Sequence, residues 1–522
     1  MAQAKPHIIF LVLDTHRAGR MSMYGYHKNT TPVLEGFSEG ATLFEHAIAP
    51  GQWTIPSHGS MFTGLYPTAH QTTQSFSTLP TNIPTLAELL REHGYDTVGF
   101  CNNPLIGVMD NGLKRGFSNF YNYGTTLPDM PQIGDDHGLR RLQRLTIDLL
   151  KNVTVPIERR FGQSPLLLRL ATMPIFVPIW SRIMNFKGNT HQSLVDVTGY
   201  LRHHFAAHND QPLFMFINMM ETHLPYHPPP AALDRWAPSI KHDREAREFL
   251  QLFNNSSYRW MAPLVEPLTE LQERTLRDVY DAEIAYQDQE LQRVFRVLNR
   301  SGQLENTMVV IVADHGESHG EHDFMGHSFS IYEELVHVPL MIRYPQAFPA
   351  GKRIPQTIST RRLFHTVLEA AGIAHEAFGK SVHDLSLVRT IEGKEPPLEH
   401  VVIEGYPPVN FINVMEMNNP EAIERFRVRE TRRAIYGDGT KLMDVGGRLD
   451  EFFDLKQDPL ELDNLLDRPQ GYENEAVRLE RELEQFMLGV EAQRDGTKAG
   501  ERLDYSNNPE ILERLRGLGY IE

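Results

Sequence analysis

Apolar runs of strand length recur along this chain, and three of them end in a carboxylate. His7 to Leu13 runs into Asp14, Gln211 to Met220 into Glu221-Thr222-His223, and Thr307 to Ala313 into Asp314-His315-Gly316. Tyr95 to Cys101 is a further run, followed by Asn102-Asn103. These runs are continuously apolar, the pattern of strands buried on both faces. Helical patterns lie between them. Thr31-Pro32 reads as an N-cap with proline at the first helical position. Thr85 to His93 is helical and closed by Gly94, and Leu271 to Asn299 predicts a long helix. Alternating strands and helices predict an α/β fold, a large central, mostly parallel mixed sheet flanked by helices. In such sheets ligands gather at the carboxyl ends of the strands, where Asp14, Glu221 and Asp314 would stand.

After about residue 375 the elements shorten. Arg432 to Val445 reads as a hairpin around Tyr436-Gly437-Asp438-Gly439, and Glu473 to Met487 as a charged amphipathic helix. The expected organisation is a catalytic α/β unit over 1–375 and a smaller C-terminal α+β subdomain over 376–522. Residues 128–190 form an apolar insertion within the first unit. Pro174, Pro178 and Arg169 unsuit its longest apolar stretch for spanning a membrane. A lid, an oligomer contact, a hydrophobic substrate wall and a packed insertion all remain open for it.

Composition narrows the classes. The net charge is 51 − 67 = −16, so no broad nucleic-acid surface is expected. Cys101 is the single cysteine, which excludes intrachain disulfides and cysteine-rich zinc sites. With no signal peptide and no transmembrane segment in the pattern, a cytoplasmic location is expected. A homo-oligomer is open, through the insertion or the tail Gly500 to Glu522.

The densest chemistry lies in Trp53-Thr54-Ile55-Pro56-Ser57-His58-Gly59-Ser60-Met61-Phe62-Thr63-Gly64. Pro56 suits the first turn of a helix, which puts Thr54 just before a helix N-terminus. The free N–H groups and positive dipole end favour an alkoxide or a phosphate there.

That segment resembles the nucleophile segment of the sulfatase and alkaline-phosphatase superfamily, which in sulfatases reads Cys/Ser-x-Pro-Ser-Arg. Thr54 stands where the Cys or Ser would be and His58 where the Arg would be. Asp14-Thr15-His16-Arg17 resembles the superfamily's Asp-Thr-x-Arg opening. Gly19 departs from the acidic residue often found after it, and Thr15 replaces a second Asp. Asp314-His315-Gly316 is similar to the metal motif, and His223-Leu224-Pro225-Tyr226 to the His-x-Pro-Tyr that faces the leaving group. Gly326-His327 is similar to the Gly-Lys/His segment, with His327 in place of the sulfatase lysine. Family-like pieces continue through Tyr280 to Tyr286, Phe452 to Asp454, Asp458-Pro459 and Leu515 to Gly519, so the resemblance spans nearly the whole chain except 128–190.

The resemblance implies a metal-dependent hydrolase. Threonine cannot become the formylglycine a sulfatase needs, but it is the nucleophile of the superfamily's phosphodiesterases. A small-molecule phosphodiester or phosphonate monoester is therefore the expected substrate, by way of a phospho-threonine. Asp14, Thr54, Asp314 and His315 are the expected ligands of a divalent cation. His315, where calcium sulfatases carry Asn, favours Zn²⁺ or Mn²⁺. His223 and His327 have two readings: imidazoles assisting the leaving group, or, with Glu221, ligands of a second metal. Asn103, Arg17 and His58 are weaker substrate-binding candidates, with turn or structural roles as alternatives. Sulfate-ester hydrolysis by unmodified threonine, phosphoryl transfer to an alcohol, and a degenerate binding protein are the competing functions.

Overall fold

The computed structural model describes residues 5–124, 131, 187–207, 211–256, 260–377, 380–394, 400–468 and 471–503. Most of the apolar insertion and residues 504–522 of the tail lie outside the described residues.

The main sheet is built from β1 (His7–Leu13), β2 (Thr42–Ile48), β3 (Asp96–Cys101), β4 (Asn119–Asn122), β5 (Leu213–Met219) and β6 (Thr307–Val312), with β9 (His337–Arg343) and β10 (Arg353–Ser359). Between β6 and β9 lies a two-stranded ribbon, β7 (Ser318–His319) and β8 (Met325–Gly326). The eight-stranded order is β10-β2-β9-β6-β1-β5-β3-β4. Pairing is parallel except around β9, which runs antiparallel to β2 and to β6. The apolar runs explain the layout, for every residue of β1, β5 and β6 is buried. Such strands need cover on both faces, which helices supply.

Register decides what emerges at the carboxyl edge. Val12 of β1 lies opposite both Asn218 of β5 and Val312 of β6, and Cys101 of β3 also lies opposite Asn218. Asp14, Asp314, Asn103 and the turn after Met219 therefore leave the sheet side by side.

The long helix Glu270–Ser301 starts with a capping box between Thr269 and Gln272 and stops at Gly302, whose φ is 71°. It packs on the helix Thr190–Ala206. The short helix Pro32–Ser38 differs from expectation in one respect. Thr31 makes no side-chain cap. Instead Asp288 of the long helix accepts from the N–H groups of Val33 (2.9 Å) and Leu34 (2.8 Å). A buried carboxylate satisfies both orphan donors at once and displaces the local cap.

Beyond the ribbon β11 (Glu376–Ala377) and β12 (Lys380–Ser381), the C-terminal region forms a four-stranded antiparallel sheet. Its strands are β13 (Val402–Gly405), β14 (Arg432–Tyr436), β15 (Thr440–Val445) and β16 (Arg448–Asp454), the predicted hairpin being β14–β15. The amphipathic helix runs Glu473–Asp495, eight residues past its expected end. It lays Leu479, Leu483 and Met487 on Val402, Leu442 and Phe452. No helix among the described residues is long and apolar enough to cross a membrane.

Candidate active site

Asp14, Asp314 and His315 converge, with one ligand atom from each lying within 4.8 Å of the others. All three are fully buried. Asp14 Oδ2 accepts from Asn103 (2.7 Å) and Asn218 (3.1 Å), while Oδ1 has no hydrogen-bond partner. Asp314 Oδ1 accepts from the N–H groups of Thr15 (3.2 Å) and His315 (3.0 Å), and Oδ2 is left without a hydrogen bond. Thr15 reaches that position with a φ of 57°, a left-handed conformation costly for a β-branched residue. Burial first, and then the charge of Asp314, push Asp14 up to about 7. Burial pushes Asp314 up to about 7 as well. His315 donates Nδ1–H to the Gly316 carbonyl (2.9 Å), an oxygen that can only accept, so Nε2 presents its lone pair. Two orphaned carboxylate oxygens beside a correctly oriented imidazole fit a divalent cation, and the mixed oxygen–nitrogen donor set is the kind that transition metals accept.

Thr54 joins this group. The helix Thr54–Thr63 begins at Thr54 itself, one position earlier than Pro56 implied, with extended Trp53 as its N-cap. All ten of its residues are buried, and it ends at Gly64 (φ 72°), where an added Cβ would lie 2.5 Å from His365. Thr54 Oγ1 is 3.3 Å from His315 Nε2 and 3.4 Å from the Asn103 amide nitrogen. Asn103 thus bridges Asp14 and Thr54, and its own Oδ1 accepts from Leu105 N–H (2.9 Å).

His58 lies one turn along the same helix. Its Nδ1–H donates to the Thr54 carbonyl (2.9 Å) and approaches Asp314 Oδ2 at 3.4 Å. Its ring meets Phe62 and Phe216 edge-on, and burial lowers its pKa to about 3. A neutral imidazole beside the Asp14–Asp314–His315 cluster therefore occupies the position of the arginine in the sulfatase pattern. Arg17 is likewise engaged elsewhere than at Thr54. Its Nη1 pairs with Glu321 (2.7 Å) and donates to the Glu317 carbonyl (3.2 Å).

Two further histidines reach the cluster. The His327 ring lies 4.5 Å from that of His315 and 4.9 Å from that of His223, centroid to centroid. Burial holds both His223 and His327 neutral, His223 at about 3. His223 Nδ1–H donates to the Leu224 carbonyl (2.5 Å). His327 Nδ1 is 2.7 Å from Glu317 Oε1, and its Nε2 has no hydrogen-bond partner among the described residues. Glu317 is absent from the sequence reading. The ribbon explains it: Ser318 lies opposite Gly326, so Glu317 and His327 are the next facing pair. Alternation on either side of a two-stranded ribbon was the signal that would have found it.

Glu221 does not complete a ligand trio with the two histidines within the 4.8 Å that groups the first cluster, among the described residues. Its surroundings are instead Lys187 and Glu283. Burial, and next the charge of Glu283, push it up to about 7. Lys187 Nζ binds the Glu221 carbonyl (2.5 Å) and Glu283 (2.9 Å). His227 and His322 lie outside the cluster. The His227 N–H donates to Glu283, and the His322 ring stacks on Tyr332.

Comparison with known proteins bears on the family. The Sulfatase family model matches residues 6–373, and the model of the N-sulphoglucosamine sulphohydrolase C-terminal region matches residues 320–488. Arylsulfatase K of Canis lupus familiaris is 23% identical over 490 residues, covering 88% of this chain and 79% of its own. A structure of BT4656 in complex with its substrate D-glucosamine-2-N,6-O-disulfate superposes with a TM-score of 0.65 at 18% identity, covering 94% of this chain and 98% of the other. The phosphonate monoester hydrolase of Agrobacterium radiobacter superposes with a TM-score of 0.63 at 20% identity, covering 94% and 96%. Sulfatase-family members generally bind a divalent metal, and the Asp14–Asp314–His315 cluster is the candidate site for one here. By the span of that first family match and by this site, the chain belongs to the sulfatase family, hydrolases of the sulfatase/alkaline phosphatase superfamily.

Proposed function

We propose that this protein hydrolyses phosphodiesters or phosphonate monoesters through a Thr54 nucleophile. The observation that carries this reading is Thr54 itself. It sits at a helix N-terminus with its hydroxyl 3.3 Å from His315 Nε2, next to two buried carboxylates. Threonine offers a hydroxyl that phosphoryl chemistry can use and that cannot be converted to an aldehyde.

Asp14, Asp314, His315 and Thr54 would hold a divalent cation, Zn²⁺ or Mn²⁺ by donor type, which when bound supplies Lewis-acid charge that acidifies the hydroxyl and offsets charge on the phosphoryl oxygens. The chain's own residues do the rest. Thr54 Oγ1 bonds to phosphorus as the ester P–O bond breaks in line with it. Asn103, 3.4 Å from Oγ1, holds the hydroxyl against rotation. His327 Nε2 takes the hydroxyl proton, its imidazolium stabilised by Glu317, as a carboxylate does in a catalytic triad, while the leaving alkoxide, across phosphorus from Thr54, takes a proton from water. In the second half, the hydroxide so formed attacks phosphorus from that side, the Thr54 O–P bond breaks, and His327 returns its proton to Thr54. His223 lines the leaving-group side. Among the described residues no arginine bonds to Thr54, and His58 is neutral and turned to the core. A singly charged diester suits such a site better than a dianion.

The names of the curated relatives favour a second reading, sulfate-ester hydrolysis by the same threonine. Turnover of p-nitrophenyl diester, monoester, phosphonate and sulfate by the metal-loaded protein separates the two. Diester or phosphonate turnover, lost by at least about a thousandfold in Thr54→Ala with metal content kept, is expected. An undiminished Thr54→Ala rate removes Thr54 as nucleophile, and dominant sulfate turnover overturns the substrate class.

A further inference from the structure

A groove of about 520 Å³ lies between the last turns of the helices Thr190–Ala206 and Glu270–Ser301. Each of these helices leads into the start of a strand, β5 or β6, whose far end carries the catalytic turns. The groove is therefore at the amino edge of the sheet, about 20 Å or more from the nucleophile by strand length alone. Its lining includes Arg202, Arg293, Arg296 and Arg300 together with Phe205 and Val297, and among the described residues no Asp or Glu lines it. In a chain of net charge −16, four arginines lining one groove stand out.

Several cations elsewhere in this protein are paired, as Arg17, Lys28 and Lys187 are. In the groove only Arg293 is, to Glu290 at 2.9 Å. Arg296 donates to the neutral Gln292, and among the described residues no carboxylate pairs with Arg202, Arg296 or Arg300, all exposed. Complementing the helix dipole does not explain them. That effect fades beyond the last turn, and Arg202 and Arg296 stand four and five positions before the final residues Ala206 and Ser301.

We infer that this groove is a binding site for a small, multiply charged anion, a compact ring bearing two or more phosphate or sulfate groups. Guanidinium forks bind such groups through paired N–H donors. The apolar floor of Phe205 and Val297 accepts the ring, and the volume lies in the range of small-molecule sites. The distance from Thr54 makes it a regulatory or anchoring site, separate from the substrate subsite, and the inference stands whichever ester is cleaved.

The probe is naphthalenetrisulfonate, whose sulfonates cannot be hydrolysed as esters and chelate metals weakly. It is titrated calorimetrically into the full-length metal-loaded protein at about 0.15 M salt. Saturable binding is expected, unchanged in Thr54→Ala and weakened about tenfold or more in Arg202→Gln/Arg300→Gln. Both arginines are exposed, so the double variant should retain the wild-type melting temperature. Absence of saturable binding, equal affinity in the double variant, or loss of binding in Thr54→Ala instead would overturn the inference.

Discussion

Two places among the described residues bring several carboxylates close together, and they resolve the repulsion differently. In the first, Asp14 and Asp314 meet with His315 and, among the described residues, no protein cation, and one oxygen of each carboxylate is left without a hydrogen bond. In the second, His322, Glu334 and Glu461 also bring ligand atoms within 4.8 Å of one another. There the fully buried Lys441 ammonium lies 2.7 Å from Glu461 and 3.1 Å from Glu333, and donates to the Ile331 carbonyl as well. Burial disfavours that ammonium, but Glu461 and Glu333 outweigh it and raise its pKa. The first cluster is built to be completed from outside, whereas the second already contains its cation and ties the C-terminal sheet to the turn after His327. A buried carboxylate cluster without an internal counter-charge marks a site. One with such a charge is a strut.

The comparison breaks most visibly at Asp314. Asp314→Asn should lower turnover about a thousandfold or more and abolish bound metal, while folding stability stays within about 1 kcal/mol because a poorly solvated charge is removed. Elemental analysis, steady-state rates and denaturant melts check the three parts. Lys441→Met should do the reverse. Stranding Glu461 and Glu333 costs about 3–5 kcal/mol of stability, read as a lower urea midpoint, with metal stoichiometry per folded chain unchanged. Loss of metal from folded Lys441→Met would show that the two clusters are coupled. Glu317→Gln sharpens the first cluster. It should lower kcat about 10- to 100-fold with KM and metal content little changed, and Glu317→Asp should recover part of that rate. A Glu317→Gln enzyme with wild-type kcat would leave His327 without an orienting partner in catalysis.

The smallest effect concerns acid. His70 is fully buried, and burial lowers its pKa to about 3 against an ordinary 6.5. Its hydrogen bonds to Ser60 and Pro56 hold the ring against the helix Thr54–Thr63. Between those pH values the unfolded chain binds a proton that the folded chain refuses. Stability from this group is thus present above pH 6.5 and lost as pH falls toward 3, with a slope of at most about 1.4 kcal/mol per pH unit. His70→Gln should flatten the pH dependence of the denaturation midpoint between pH 7 and 5, and an unaltered slope would remove His70 as a contributor.

Much of this was legible along the chain. The long helix was expected over 271–299 and runs Glu270–Ser301, because its apolar periodicity and the Thr269–Gln272 box are local signals. The strands β1, β5 and β6 were visible as continuous apolar runs, and the polar residues that end β1 and β6 do meet, whereas Glu221 after β5 stands with Lys187 and Glu283. Other features were not local. Asp288 replaces Thr31 as the cap of a helix about 255 positions away, which no window of sequence contains. Asn218 binds Asp14 only because β5 lies beside β1. Arg17 and His58 carried the right chemistry for an anion, yet Glu321 and the Thr54 carbonyl with Asp314 engage them.

What the sequence alone determined, then, was the class of fold, the family resemblance and the types of group offered at each strand end, because hydrophobic period and motif spacing are properties of short segments. Which of those groups face one another, which are already neutralised, and which arginines are left over in an acidic protein were decided only by tertiary structure. Strand register and helix packing set the distances between residues hundreds of positions apart, and on those distances the pairing, the desolvation and the pKa of every buried charge depend.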